Sequence, residues 1–227
     1  MHELRGNPEK IIEAIDSFAR TFTGLINVGE VKGKIVTTTI AKHKPAAMLE
    51  LGGYVGYSAI LFGAALKRAG GKFYYSIEMD PLFAAVAASL VDLAGLRDTV
   101  RVIVGTGADG IQILAKEGAF QGGQLDMIFL DHHKPSYTTD LKLCERLGLV
   151  GPGTVLIADN MIIPGNPPYA AWVRASVSEK KVQNEAATTP EERGNPNLQY
   201  ESQFVKSFEP SGMEDAMEIT QCVGIEG

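Results

Sequence analysis

The sequence predicts an α/β fold: a Rossmann-like, seven-stranded and mostly parallel sheet with an antiparallel edge hairpin and helices on both faces. Three observations predict it. Between residues 46 and 177, short apolar runs alternate with helical segments, which is the order of repeated βαβ units. The runs are almost continuously apolar, as strands covered on both faces must be. Near the C-terminus, two β-prone runs follow each other through a short turn that contains Pro210 and Gly212.

The helices and strands follow in chain order. Pro8 suits a first helical turn, apolar residues recur after it at helical spacing, and a second helix is predicted over about 30–42. The core then alternates the two kinds of element. Its strands are predicted at 46–51, 72–78, 100–104, 125–130 and 153–158, and its helices at 58–68, 80–94, 110–117 and 139–147. The hairpin strands are predicted at 200–208 and 217–223.

The length predicts one domain. A chain of 227 residues suits a single large domain and is short for two. We divide the domain, 1–227, into parts as follows: N-terminal helices at 1–45, a cofactor and metal core at 46–177, a polar insertion at 178–198 and the edge hairpin at 199–227. Because the insertion has almost no large apolar residue, we expect it to be an exposed loop or partly disordered.

Composition limits the partners. A net charge of -6 gives no electrostatic basis for binding nucleic acid or an anionic membrane. No apolar run reaches the roughly 18 residues of a membrane span, and the N-terminus lacks the apolar core of a secretory signal. The two cysteines, Cys144 and Cys222, suggest a reducing compartment and leave a single disulfide open. We expect a cytoplasmic protein, a monomer or weak homodimer, with no nucleic-acid or membrane partner.

The first strand ends in the motif E-x-G-G-x-x-G, which begins at Glu50 and has glycines at 52, 53 and 56. In open α/β sheets, ligands bind at the carboxyl ends of the strands. The middle glycine is displaced relative to the dinucleotide motif G-x-G-x-x-G, and the acid would repel a diphosphate. The motif therefore favours a ligand with an ammonium or a sulfonium group. A tight turn that binds nothing is the alternative.

Glu78 ends the next strand, 26 residues after Gly52. A carboxylate at this place can accept hydrogen bonds from both hydroxyls of a ribose. Together with the first motif, it predicts an adenosine ligand that lacks a diphosphate. The alternative is a solvated acid in front of the helix that Asp80 caps.

Asp131-His132-His133-Lys134 and Asp159-Asn160 follow the next two strands of the core. A strand-end carboxylate near a lysine is typical of a metal ligand beside a base. Adjacent histidines on an extended chain point in opposite directions, which disfavours a shared zinc ion. Two aspartates and an amide oxygen form a hard, oxygen-rich set that suits Mg²⁺. The alternative for Asp159-Asn160 is a turn whose side chains bond the local backbone.

Six phrases, in this order and at these spacings, resemble the catechol O-methyltransferase family over residues 8–177 and 200–224. They are Asn27-Val28-Gly29, LELGGYVGYSA (49–59), IEMDP (77–81), LDMIFLDHHK (125–134), GTVLIADN (153–160) and IIPG (162–165). The resemblance implies an enzyme that uses Mg²⁺ and S-adenosylmethionine to methylate one hydroxyl of a catechol. It also implies a seven-stranded sheet with a reversed edge hairpin.

The resemblance implies residue roles as well. Lys134 matches the general base, and Glu209 matches a glutamate that holds the catechol hydroxyl that is not methylated. The magnesium ligands are matched by Asp131, Asp159 and Asn160. The positions that match the cofactor site are Val28, Glu50, Gly52, Tyr54 and Ser58 around the methionine half, Glu78 on the ribose, Met79, Gly107 and His132 near the adenine, and Asp131.

Departures from the family pattern keep other functions open. Vertebrate members carry tryptophan where Gly24 and His133 stand, and often Ser-Gln where Gly107-Ala108 stands, so we expect a wider and more polar substrate pocket. A caffeoyl or flavonoid type of vicinal diol is therefore an alternative substrate. A nicotinamide-dependent oxidoreductase is opposed by the displaced glycine. A binding protein without catalysis is opposed by the complete set of Asp, Lys, Asp and Asn.

Overall fold

The computed structural model describes residues 3–22, 24–120 and 123–227, so residues 1, 2, 23, 121 and 122 of the predicted domain lie outside the description. The helices are α1 (Pro8–Thr21), α2 (Gly29–His43), α3 (Tyr57–Arg68), α4 (Pro81–Leu93), α5 (Gly107–Lys116), α6 (Tyr137–Arg146), α7 (Pro167–Val173) and α8 (Val177–Ala186). The strands are β1 (Ala47–Leu51), β2 (Phe73–Glu78), β3 (Val100–Val104), β4 (Met127–Leu130), β5 (Val155–Ala158), β6 (Leu198–Phe208) and β7 (Glu214–Ile225).

The strands form one sheet in the order β3-β2-β1-β4-β5-β7-β6. β1 to β5 are parallel, β7 pairs antiparallel with β5, and β6 pairs antiparallel with β7. The sequence-based prediction of the fold class is therefore confirmed. The strand order reverses between β1 and β4, which leaves a crevice at their carboxyl ends.

Both faces of the sheet are covered by apolar packing. Helices α1 to α4 pack on one face, for example through Val36 and Ile60, whereas α5 to α7 pack on the other, for example through Leu141 and Trp172. The neighbours Ile128 and Phe129 of β4 are buried on opposite faces. Each such side chain contributes about 1.5–3 kcal/mol by leaving water. The apolar runs of the sequence thus contribute side chains to the hydrophobic cores on both faces of the sheet.

The prediction that 178–198 is an exposed loop or partly disordered is wrong for 178–186, which form helix α8, although most of the segment is exposed as predicted. Helix α8 begins with a capping box, in which Ser176 Oγ accepts from the Glu179 amide and the Glu179 carboxylate accepts from the Ser176 amide. Lys180 is completely buried. Its Nζ donates to the Leu198 carbonyl at 2.8 Å and lies 3.8 Å from the centre of the Tyr200 ring.

The polar composition of this segment was misleading because helix α6 binds its polar groups. The buried carboxylate of Glu145 accepts hydrogen bonds from Trp172 Nε1, Tyr200 Oη and the Asn195 amide at 2.8, 2.6 and 2.9 Å. Lys142 Nζ donates to the carbonyl of Glu192 at 2.6 Å. The segment is ordered through these contacts and needs few large apolar residues.

Two further expectations concern the whole chain. Within the three described stretches, no helix is both long and apolar enough to cross a membrane. Cys144 and Cys222 are both buried and both free. Helix α7, which the sequence did not predict, lies near the end of the 46–177 core and precedes α8.

Candidate active site

A cleft of about 1080 Å³ opens at the carboxyl ends of β1 and β4. Its lining contains all the predicted site residues except Glu50. Glu50 lies behind the lining, fully buried, and its Oε2 accepts a hydrogen bond from Ser76 Oγ at 2.5 Å. The fold therefore brings residues that are more than 150 positions apart in the sequence to one place.

Gly52 allows the ends of β1 and β4 to approach each other. Its φ is +96°, and a Cβ atom there would lie 2.4 Å from the carbonyl oxygen of Asp131. Only glycine fits this contact, since both the backbone angle and the space exclude a side chain. The turn after β1 consequently lies directly against the strand end that carries Asp131.

Glu78 is held by the backbone at one end of the cleft. Its two carboxylate oxygens accept from the amides of Tyr54 and Asp80 at 2.7 and 2.8 Å. The Tyr54 ring packs edge-on against Phe83, with 4.7 Å between the ring centres. The carboxylate is thus fixed at the strand end, where an adenosine ribose would lie.

Two buried acceptors near the same cleft have no hydrogen-bond partner within the part of the chain that the structure describes. They are Glu50 Oε1 and Asn27 Oδ1. Burial raises the pKa of Glu50 to about 7, although the Ser76 hydroxyl opposes the shift. Acceptors that are buried without a partner cost free energy, and an ammonium group would satisfy them. Asn27, which lines the cleft, was not among the predicted site residues.

His132 and His133 have different surroundings. His132 packs flat on Tyr137 at 4.9 Å between ring centres, and its Nε2 lies 2.9 Å from Asp140 Oδ2. Burial lowers the pKa of His132, against the attraction of Asp140, so the ring is neutral near pH 7. His133 is exposed and lies 3.2 Å from Ser136 Oγ. Among the described residues, no group of three or more His, Cys, Asp or Glu side chains is placed to hold a metal ion.

Gly107 lies against the Asp140 side chain at the same corner of the site. A Cβ atom on Gly107 would lie 2.1 Å from Asp140 Oδ2. The carboxylate that contacts His132 therefore occupies the space that a serine would need at this position. This explains one departure from the family pattern.

Lys134 lies at the centre of the cleft. Its Nζ donates to Asp131 Oδ1 at 2.9 Å and to Tyr137 Oη at 2.7 Å. Its backbone is fixed by Asn166, whose Nδ2 donates to the Lys134 carbonyl at 2.7 Å. The ammonium group is thus held beside the carboxylate at the end of β4.

Lys32 of α2 is a buried cation that sequence analysis did not single out. Its Nζ lies 2.7 Å from Asp159 Oδ1, 2.6 Å from Asp215 Oδ2 and 2.5 Å from Glu209 Oε1. Burial alone would lower the pKa of Lys32, but the three carboxylates outweigh burial and raise it. A signal was present in the sequence. Lys32 continues the buried stripe of Val28, Val36 and Ile40, which recurs every four residues.

Asn160 and Asp215 connect this cation to the turn after β5. Asn160 adopts a left-handed backbone with φ +59°, and its Nδ2 donates to Glu209 Oε1 at 2.8 Å and to Asp215 Oδ2 at 3.0 Å. Asp215 Oδ1 accepts from the amides of Ile162 and Ile163 at 2.9 and 3.2 Å. The amide nitrogen of Asn160 faces the carboxylates, so its oxygen is offered on the other side.

The charges of the site fit a divalent cation. Four carboxylates stand against the two ammonium groups, which leaves an excess of two negative charges. The carboxylates are those of Asp131, Asp159, Glu209 and Asp215, and the ammonium groups are those of Lys32 and Lys134. Burial and the charge of Asp131 raise the pKa of Asp159 to about 7. The carboxylates and the Asn160 amide offer oxygen ligands, which Mg²⁺ prefers.

Comparisons with known proteins identify the family of the chain. The family described as "Methyltransferase domain" matches residues 49–161. A catechol O-methyltransferase of Sus scrofa is 44% identical over 66% of this chain and 78% of its own length. The chain belongs to the catechol O-methyltransferase family. The family member of Mus musculus is 40% identical over 78% of this chain, and the match spans 65% of the mouse protein.

A solved structure supports the fold. It is an O-methyltransferase from Bacillus cereus in complex with SAH, which aligns with a TM-score of 0.68 over 94% of this chain and 90% of its own. Its sequence identity is 21%, so the likeness concerns the fold alone. Family membership and fold thus rest on independent comparisons.

Proposed function

We propose that this chain transfers a methyl group from S-adenosylmethionine to one hydroxyl of a catechol, with Mg²⁺ as the metal. One observation carries the proposal: a single cleft is lined by Glu78 at one end, with Glu50 buried behind that lining, and by Asp131, Lys134 and Asp159 at its acidic end. An adenosine site with an acidic oxygen cluster beside it suits a cationic methyl donor and a metal-bound oxygen substrate.

Each end has a separate task in the proposal. Glu78 binds the ribose, while Glu50 and Asn27 accept hydrogen bonds at the ammonium end of the cofactor. Asp131, Asp159 and the Asn160 amide oxygen hold the metal. When bound, S-adenosylmethionine supplies the methyl group and Mg²⁺ polarises the two substrate oxygens.

The remaining work falls to side chains of the chain itself. Lys134, in its neutral amine form, would receive the proton of the reacting hydroxyl at its Nζ and become an ammonium again, while Asp131 and Tyr137 hold that nitrogen in place. Glu209 accepts a hydrogen bond from the other hydroxyl and so decides which oxygen reacts. Because methyl transfer needs the attacking oxygen, the methyl carbon and the sulfur in line, positioning supplies much of the rate.

A larger vicinal diol of the caffeoyl or flavonoid type is the second candidate. The observation that favours it is the wall of the cleft. Ile26 and Met213 line the cleft and are 82% and 48% exposed, and Pro164 and Pro210 stand beside them. This wall offers apolar surface beyond a single aromatic ring.

The test is a methyl-transfer assay with a dihydroxybenzoate and labelled S-adenosylmethionine. We expect turnover to stop in EDTA and to return with Mg²⁺. Full activity in the chelator would contradict the metal assignment. Larger vicinal diols in the same assay separate the two candidate substrates from each other. Matched monophenols test the metal, because a monophenol has no second oxygen for it.

A further inference from the structure

Lys32 uses all three of its ammonium hydrogens on carboxylates from three separate parts of the fold. Asp159 follows β5, Glu209 lies in the turn between β6 and β7, and Asp215 belongs to β7. The lysine side chain has no exposed surface, so water does not compete for these contacts. The three oxygens are therefore gathered within 2.7 Å of one nitrogen.

This arrangement has a consequence for any divalent ion in the site. Glu209 and Asp215 share the Lys32 ammonium group with Asp159, one of the proposed ligands, so their carboxylates are near enough to compete for an ion that Asp159 holds. Mg²⁺ takes about six ligands in an octahedron, and a catechol needs two of those places. Four protein carboxylates on the ion would leave too few places for the substrate.

We infer that Lys32 is a positioning residue that keeps the carboxylates of Glu209 and Asp215 off the metal ion. The inference rests on the proposed function. The ion is then bound by Asp131, Asp159 and Asn160 and keeps places for substrate oxygens. Glu209 remains available to accept a substrate hydroxyl.

Asp215 holds Lys32 in place. One of its oxygens holds Lys32 and the Asn160 amide nitrogen, while the other is fixed by the two backbone amides of the turn after Asn160. Burial alone would raise the pKa of Asp215, but hydrogen bonds with Lys32, with Glu209 and with the Ile162 amide lower it. The cation is therefore anchored by a carboxylate that is itself immobile.

The test uses a charge-balanced pair of changes, so that the variant keeps its fold. K32M/D215N removes one positive and one negative charge and frees Glu209, together with the Oδ1 atom of Asp159, which already belongs to the proposed ligand set. Because an additional carboxylate ligand raises affinity for a divalent ion, we expect Mn²⁺, titrated by the EPR signal of the free ion, to bind about tenfold more tightly to this variant than to the wild type. In the E209Q background, the same pair of changes should leave the Mn²⁺ Kd unaltered. The exposed Lys34 of the same helix supplies the control, K34M.

A second measurement separates ligation from general loosening. In the presence of Mn²⁺ and S-adenosylhomocysteine, calorimetry should show dihydroxybenzoate binding about tenfold more weakly to K32M/D215N. Equal Mn²⁺ affinities with and without the pair, or tightening that persists in E209Q, would overturn the role of Lys32. A wild-type chain that binds no Mn²⁺ would overturn the proposed function itself and the role of Lys32 with it.

Discussion

Lys32 and Lys180 are both fully buried lysines on helices, yet their surroundings are opposite. Lys32 contacts three carboxylates, which raise its pKa. Lys180 contacts a backbone carbonyl and the face of Tyr200, and burial lowers its pKa to about 8 although Glu145 acts against the shift. A buried charge is therefore no evidence of function by itself; the groups around it decide.

The two regions differ in how their polar groups are satisfied. Around Lys180, the polar groups of α6 and the 178–198 segment bond each other, so that region serves the fold. Around Lys32, carboxylates outnumber cations, and acceptors such as Glu50 Oε1 have no partner within the described ranges. A region with unbalanced charge and unused acceptors is one that suits a ligand.

The largest expected effect concerns the candidate active site, the region that contains Lys32 and Lys134. Lys134→Ala removes the proposed base, so kcat should fall by about 10²–10⁴-fold while the Kd for S-adenosylhomocysteine changes little. Steady-state kinetics and calorimetry measure the two quantities. Lys72→Ala, an exposed lysine at the opposite edge of the sheet, is the control. An unchanged kcat at pH 7 would remove Lys134 from the role.

The next effect concerns the region around Lys180 and Glu145, which stabilises the fold. Glu145→Ala leaves the buried donors of Trp172 and Tyr200 without their acceptor, so the free energy of unfolding should fall by about 3 kcal/mol. Urea unfolding measures the change, and kcat of the folded protein should be the same as in the wild type. The exposed Glu201 on β6 gives the matched control, Glu201→Ala. If Glu145→Ala lowers kcat at full stability, the two regions are not separate.

Much of the fold could be predicted from the sequence because apolar runs and glycine turns are local signals. β3 was predicted with its observed bounds, and the ends of β1, β2 and β4 were predicted correctly. The segment with α8 was not, since its order depends on contacts with Glu145 and Lys142, which lie far away in the sequence. The apolar content of a segment indicates how much apolar surface the segment can bury. It does not indicate whether the polar groups of the segment form hydrogen bonds with distant parts of the chain.

The candidate site shows the same division. Strand-end residues such as Glu78 and Asp131 were predicted because a parallel sheet places strand ends at one edge. Asp215 lies on β7, whose position between β5 and β6 depends on the assembled sheet, so no local pattern indicated its contact with Lys32. Lys32 itself broke an apolar stripe, which is a signal that a sequence can provide.

The smallest expected effect separates the two lysines by pH. Because the pKa of Lys180 falls from 10.5 to about 8 on folding, the folded chain binds fewer protons than the unfolded chain between these values, and stability rises with pH there. Lys180→Met removes this gain. The free energy of unfolding of Lys180→Met, relative to the wild type, should therefore fall by about 2 kcal/mol between pH 7 and pH 9.5. Lys181→Met, at an exposed neighbour, should show no such trend. Because the pKa of Lys32 is raised, its contribution to the free energy of unfolding stays constant over this interval. If the free energies of unfolding of Lys180→Met and the wild type change with pH in parallel, both lysines are held as stable cations and the contrast between them is absent.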